Sequence, residues 1–153
     1  MSLIASLCAV EDILLGGDIS SKSRLFEVLA RHVEQRYGLP ARDIVENLSG
    51  REALGSTALG NGVAIPHARI TGIDKVIAVF MRPKKPMPFD APDRKPVSDV
   101  FVLLVPDDAQ QEHLLVLADI ARLFSDRRFR EQLKLCGSAA AVSRILCDWQ
   151  STP

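Results

Sequence analysis

Arg51-Glu-Ala-Leu-Gly-Ser-Thr-Ala-Leu-Gly-Asn-Gly-Val-Ala-Ile-Pro-His67-Ala-Arg69 is the stretch on which the reading of this chain turns. It opens on an arginine. A patch of small residues follows, Gly55-Ser56-Thr57, then a Gly60-Asn61-Gly62 turn and a histidine behind a proline. Val63-Ala64-Ile65 is short, apolar and partly β-branched, which predicts a buried strand. Pro66 locks its own φ and drives Ile65 into an extended conformation. His67 is therefore expected to leave the end of a strand on stiff backbone. Such placement is what a side chain needs when it must meet a partner's reacting atom.

Outward from that stretch the periodicities alternate. Ile4 to Val10 is apolar and opens the chain. Ser20 and Ser21 precede a helical stripe of Leu25, Phe26, Leu29 and Val33, which Gly38 and Pro40 end. His32 lies beside this stripe and reads as a boundary histidine. A second helix is expected from Ala41 to about Leu48. Gly50, Gly55, Gly60 and Gly62 then break the chain into turns and short strands. Val76-Ile77-Ala78-Val79-Phe80-Met81 predicts a buried strand. Five prolines in 82–97 predict a loop with at most a short edge strand. Its Arg82, Lys84, Lys85, Arg94 and Lys95 read as a solvated face or as a rim for an acidic partner. Val100 to Val105 is continuously apolar, as in a strand buried on both faces. Asp107 or Asp108, with Gln111, can cap a helix over roughly 109–124, whose apolar residues on nearly every side predict that it is largely buried. Asp126 to Leu135 is helical up to Gly137. Ser138 starts a last helix running to about Trp149. The whole predicts an α/β sandwich, a mixed β-sheet flanked by helices, with residues 1–153 forming a single domain.

Composition excludes several classes. Lys+Arg and Asp+Glu are 19 each, so no global field recruits nucleic acid. No apolar run approaches the roughly 18 residues of a membrane span, so no direct membrane insertion is expected. The start Met1-Ser2-Leu3-Ile4 lacks the basic region of a signal peptide. Cys8, Cys136 and Cys147 lack paired metal spacing and read as reduced thiols of a cytoplasmic protein. There is neither a GxGxxG motif nor a P-loop, so no nucleotide cofactor is expected.

Imidazole has an unperturbed pKa of about 6.5, so its neutral form is available as a nucleophile near pH 7. An exposed ring nitrogen on His67 can accept a phosphoryl group. Such transfer needs in-line positioning and donors around the phosphoryl oxygens. Arg51 can supply a forked guanidinium. Ser56 and Thr57 can supply hydroxyls and backbone N–H groups, and Asn61 completes the candidate pocket. His113 falls in the first turn of the helix after the second strong strand. It reads either as a structural histidine or as a hydrogen-bond donor to a phosphoryl anion at that helix N-terminus. His67 with His113 has no apparent third ligand for zinc. A Ser-His-Asp hydrolase would want a Gly-x-Ser-x-Gly elbow, which is absent.

The Arg51 to His67 segment, with Leu103-Leu104-Val105-Pro106 and Gln111-Glu-His113-Leu in the same order, resembles the fructose/mannitol-type enzyme IIA proteins of the bacterial phosphotransferase system. The form Gly-Asn-Gly-Val-Ala-Ile-Pro-His is most similar to the nitrogen-regulatory branch. The resemblance spans nearly the whole chain, with Ala68 standing where many relatives have glycine. It implies a phosphohistidine at Nε2 of His67, with Arg51 and His113 as pocket residues. It also implies an HPr-like phosphocarrier as donor, fed by a phosphoenolpyruvate-dependent enzyme I. No cofactor or metal is implied. Sugar-transporting relatives usually have glutamate where this chain has Asn61, and the 153 residues hold no IIB-like, HPr-like or membrane segment. A regulatory output is therefore expected over relay through a IIB domain to a sugar. Regulatory relatives bind targets such as potassium-transport and sensor kinase proteins. A noncatalytic interaction domain, whose binding follows the state of His67, is the alternative of another class.

Overall fold

The structure is a computed structural model and describes residues 8–149, apart from the side chains of residues 112–114. Strand β1 (Ile13–Gly17) leads into α1 (Lys22–Tyr37) and α2 (Ala41–Ala53). Three short strands follow, β2 (Ala58–Gly60), β3 (Val63–Ala64) and β4 (His67–Ile70). Then come the long strands β5 (Ile77–Pro83) and β6 (Asp99–Pro106), and the helices α3 (Gln111–Ser125), α4 (Arg127–Lys134) and α5 (Ala139–Asp148). Side-chain caps start three helices as the sequence suggests: Ser21 accepts from the Arg24 amide, Asp126 from Arg128 and Phe129, and Ser138 from Ala141. Gly38, at φ 74°, closes α1 in the left-handed region.

The strands form one mixed sheet in the order β1-β5-β6-β3-β2, with β4 also paired to β6. β5 and β6 are antiparallel; β1 runs parallel to β5, and β3 and β4 run parallel to β6. Alternation along β6 divides the interior. Val100, Val102 and Leu104 pack with Leu25, Leu29, Ile44 and Leu48 under α1 and α2. Phe101, Leu103 and Val105 pack with Ile120, Phe124, Phe129 and Val142 under α3, α4 and α5. The expected α/β sandwich with a mixed sheet is what the chain forms.

Several boundaries differ from expectation. α2 runs on through Gly50 to Ala53, so Arg51 and Glu52 occupy its last turn. An exposed helical glycine costs only about 1 kcal/mol relative to alanine, which the buried Ile44 and Leu48 offset. His67 does not leave the end of a strand. Val63 faces Asp99 and His67 faces Leu103, so β3 and β4 keep a common register on β6 across Ile65-Pro66. Pro66 has no N–H to give, but its carbonyl accepts from Leu103 N at 2.9 Å and holds that register. Of the opening run Ile4–Val10, residues 4–7 lie outside the described residues; Val10 begins a 3₁₀ turn (Val10–Asp12).

The 82–97 segment is less solvated than its prolines imply. Met87, Phe89 and Val97 are buried, and Met87 bridges Val97. Arg82 belongs to β5 and not to the loop; its guanidinium is spent on Asp99 and on the carbonyls of Leu133 and Cys136. α3 is less buried than its composition predicts. Val116, Ile120, Leu123 and Phe124 face the sheet, while Leu115 is 54% exposed, because only one side of the helix meets a sheet face.

Candidate functional site

His67 is the first residue of β4 and is half-buried. Its Nδ1 lies 2.9 Å from the carbonyl oxygen of Ile65. A carbonyl only accepts, so Nδ1 carries the proton and Nε2 presents its lone pair. Arg51 meets that lone pair: its Nε–H donates to His67 Nε2 at 3.3 Å. Nη1 of Arg51 donates to the Gly55 carbonyl at 3.0 Å, so the guanidinium folds back over the end of its own helix. The two ends of the signature stretch are thereby brought together. One nitrogen of the imidazole is fixed by backbone, and the other faces a cation.

The small-residue patch between them is tightly held. Thr57 is buried and donates its hydroxyl to Glu52 Oε2 at 2.7 Å, and its N–H to Glu52 Oε1 at 3.0 Å. Ser56 donates its hydroxyl to the Phe89 carbonyl at 2.6 Å and accepts from the Ala58 amide. Both hydroxyl protons thus serve to shape the turn. The Thr57 carbonyl also accepts from Ile65 N at 3.0 Å, which ties the turn to the strand segment before His67. Asn61 is exposed in the β2–β3 turn at φ 59°, a left-handed conformation that asparagine tolerates. Its N–H donates to Asp93 Oδ2, and it makes no hydrogen bond to His67 among the described residues. That bond, joined by one from Lys95 N, holds the Asp93 carboxyl below the usual carboxylate range. His113 lies in the first turn of α3, after β6, but its side chain is outside the described residues.

Sequence reasoning missed Glu52 and Lys22. Lys22 Nζ reaches Glu52 Oε1 at 2.9 Å and Asp90 Oδ2 at 3.1 Å, and sits 4.8 Å above the Phe89 ring. Burial alone would lower the Lys22 pKa, but the two carboxylates outweigh it and raise it. The readable signal was a glutamate beside Arg51, five residues before Thr57. Reading α2 as ending near Leu48 hid it.

His32, expected to be inert, lies 2.7 Å by Nε2 from Asp12 Oδ1. Arg36 and Tyr37 complete the ring of partners around that fully buried carboxylate. The cluster joins α1 to the start of β1. Of the cavities of about 550 and 740 Å³, one lies at α4 and α5, the other between β5, residues 95–99, α4 and the β2–β3 turn; Asn61 lines the second, and His67 lines neither. Among the described residues no group of three or more His, Cys, Asp or Glu side chains is arranged to hold a metal ion. No helix among them is long and apolar enough to cross a membrane.

Comparison with known proteins converges on one family. The family model described as "Phosphoenolpyruvate-dependent sugar phosphotransferase system, EIIA 2" matches residues 6–149. A nitrogen regulatory protein of Pseudomonas aeruginosa is 42% identical over 134 residues, 86% of each chain. One from Bradyrhizobium diazoefficiens is 38% identical over 143 residues, 94% of each chain. The crystal structure of nitrogen regulatory protein IIA-Ntr from Neisseria meningitidis superposes with a TM-score of 0.88 at 46% identity, covering 95% of this chain and 99% of that one.

Proposed function

The chain belongs to the EIIA 2 family of the phosphoenolpyruvate-dependent sugar phosphotransferase system, and from that premise we propose that it is a cytoplasmic nitrogen-regulatory IIA domain that accepts a phosphoryl group on Nε2 of His67. The observation that carries the reading is the fixed tautomer: Nδ1–H is held by the Ile65 carbonyl, so the lone pair of Nε2 is the one on offer. The donor is an HPr-like phosphocarrier. The P–N bond of its phosphohistidine breaks, the P–Nε2 bond to His67 forms, and the carrier's nitrogen leaves with the electron pair. No proton need leave Nε2, because none is there.

In this reading Arg51 has two roles. At rest its Nε–H occupies the Nε2 lone pair at 3.3 Å, a long and weak contact. On transfer it yields that place and turns its fork to the equatorial oxygens, where charge is greatest. His113 stands as a second donor from the first turn of α3. The turn that Ser56 and Thr57 shape, with Asn61 at the rim, completes the pocket. A half-buried imidazole outside the larger cavities suits a protein donor better than an engulfed small molecule.

The output is regulatory. Phosphorylation adds about −1.5 to −2 charge and strong acceptor oxygens near neutral pH. Leu54, Leu59 and Leu115, on segments that carry or adjoin the site, are exposed, so a partner seated there meets an apolar surface in the unmodified state. Burying an unpaired anion against such a partner is costly, so phosphorylation releases it. Targets of the potassium-transport and sensor kinase classes fit this scheme.

The test begins with phosphoenolpyruvate, enzyme I and carrier, followed by mass-spectrometric mapping under non-acidic conditions. Phosphate is expected on His67. Phosphate on His113 or Ser56, with none on His67, sinks the assignment. Efficient sugar phosphorylation through a matching IIB and membrane component would replace the regulatory output with a transport one.

A further inference from the structure

Glu52 sits where local rules disfavour it. It lies in the last turn of α2, beside the partly negative end of the helix dipole, and its side chain is only 6% exposed. A buried carboxylate at a helix C-terminus needs compensation, and residues that break a local rule concentrate at functional sites. Compensation comes from three donors: Thr57 N at 3.0 Å, Thr57 Oγ1 at 2.7 Å and Lys22 Nζ at 2.9 Å. Two of the three belong to one residue, so the carboxylate grips Thr57 at both backbone and side chain.

The grip continues toward the imidazole. The Thr57 carbonyl accepts from Ile65 N at 3.0 Å. The Ile65 carbonyl accepts from His67 Nδ1 at 2.9 Å. A continuous series of contacts therefore runs Lys22, Glu52, Thr57, Ile65, His67. At each residue the N–H and C=O belong to different peptide units, so what passes along is position and not electronic polarisation. The last link chooses the tautomer. If the Ile65 carbonyl moves away, Nδ1 loses its acceptor and only the long Arg51 contact at 3.3 Å still opposes a proton on Nε2, where it would remove the lone pair that attacks.

We propose that Glu52 is a positioning residue for His67: by clamping Thr57 it holds the Ile65 carbonyl in place, and so fixes the ring orientation and tautomer of the imidazole. The proposal rests on the reading of His67 as phosphoryl acceptor. Neighbouring Arg51 and Glu52 then divide the work, one facing the lone pair and the other fixing the opposite nitrogen through the turn. Lys22, held by Glu52 and Asp90 together, anchors the series to the first turn of α1.

The experiment uses the full chain labelled with ¹⁵N at histidine. Long-range ¹H–¹⁵N spectra of unphosphorylated protein report the His67 tautomer, and carrier-driven phosphorylation is timed in parallel. The parent should show a single Nδ1–H tautomer. Glu52→Ala should show mixed tautomers and transfer slowed by about 10- to 100-fold, the scale of an ångström's misplacement. Glu52→Gln should recover the parent tautomer and most of the rate, since its amide oxygen can accept from Thr57 N while its NH₂ meets the Thr57 hydroxyl. Thr57→Val, which deletes only the hydroxyl bond, should give an intermediate effect and serves if Glu52→Ala does not fold. A folded Glu52→Ala, or failing that Thr57→Val, with the parent tautomer and parent rate overturns the proposal. A parent protein that takes no phosphate on His67 overturns the functional reading instead, and the tautomer spectra still decide the role of Glu52.

Discussion

Arg82→Met should be among the most destabilising single changes in this molecule. The Arg82 side chain is 20% exposed, that of its partner Asp99 4%. Nε donates to Asp99 Oδ1 at 2.7 Å, Nη1 to the Cys136 carbonyl at 2.7 Å and Nη2 to the Leu133 carbonyl at 2.8 Å. One side chain thus neutralises a buried acid, satisfies carbonyls at the C-terminal end of α4, and covers Phe80, whose ring centre is 5.6 Å away. Methionine keeps the apolar stem but strands the carboxylate. Removing one partner of a buried ion pair costs about 3–5 kcal/mol. The two carbonyls can turn partly to water, so their loss is the smaller share. At roughly 4 kcal/mol, and 2–4 °C per kcal/mol for a chain of this size, Tm should fall by about 8–16 °C. Thermal melts followed by circular dichroism at neutral pH read this directly. Adding Asp99→Asn to Arg82→Met removes the stranded charge and should regain a substantial part of the loss. A fall of less than about 3 °C, or a double variant no more stable than Arg82→Met alone, would refute the reasoning.

The same geometry sets other outcomes. Arg51→Ala should fold normally yet slow phosphoryl transfer to His67 by about 10²–10³-fold in rapid-quench kinetics, and His113→Ala should slow it too; parent rates in both would mean the pocket is misassigned. Burial pushes the Asp12 carboxyl up, but bonds from Arg36, Tyr37 and His32, with the charge of Arg36, outweigh it and hold it below the usual range. Its contribution to stability is therefore present above the ordinary carboxylate value of about 3.9 and lost as pH falls through the lowered folded value. Urea unfolding between pH 7 and 3 should show Asp12→Asn less stable at pH 7, the gap to the parent narrowing in acid; parallel curves would count against the cluster. Burial, with help from the Asp12 charge, pushes the Cys8 thiol up to about 12, whereas Cys147 is exposed. Iodoacetamide at pH 8 should label Cys147 in the native protein and Cys8 only after denaturation, and equal rates would contradict the packing around Cys8.

Much of the fold is legible because its causes are local. The apolar runs of β5 and β6 announce themselves, and Ser21, Asp126 and Ser138 mark helix starts by their own side-chain bonds. The α2 boundary is misread because a glycine looks like a stop when only propensity is weighed. Gly50 is carried through by the packing of Ile44 and Leu48 against the sheet, which no local window contains. β4 is missed for a related reason: Pro66 looks like an end, yet its carbonyl still bonds Leu103 and the register resumes at His67. The exposure of Leu115 depends on which side of α3 meets the sheet, and a nearly all-apolar helix does not declare that side.

The sequence by itself determined the α/β class, the strongest strands, the helix caps and the candidacy of His67, with Arg51 named as its companion. These come from periodicity, capping chemistry and a short motif, all readable within a few residues. Only the tertiary structure decided that Arg51 faces Nε2, that the Ile65 carbonyl holds Nδ1, that Glu52 grips Thr57, and that Asp12 gathers His32, Arg36 and Tyr37. The physical reason is that a charged or hydrogen-bonding side chain has no period along the chain. Its partner is whichever complementary group the packed sheet and helices bring within about 3 Å, and that distance exists only once the core has closed.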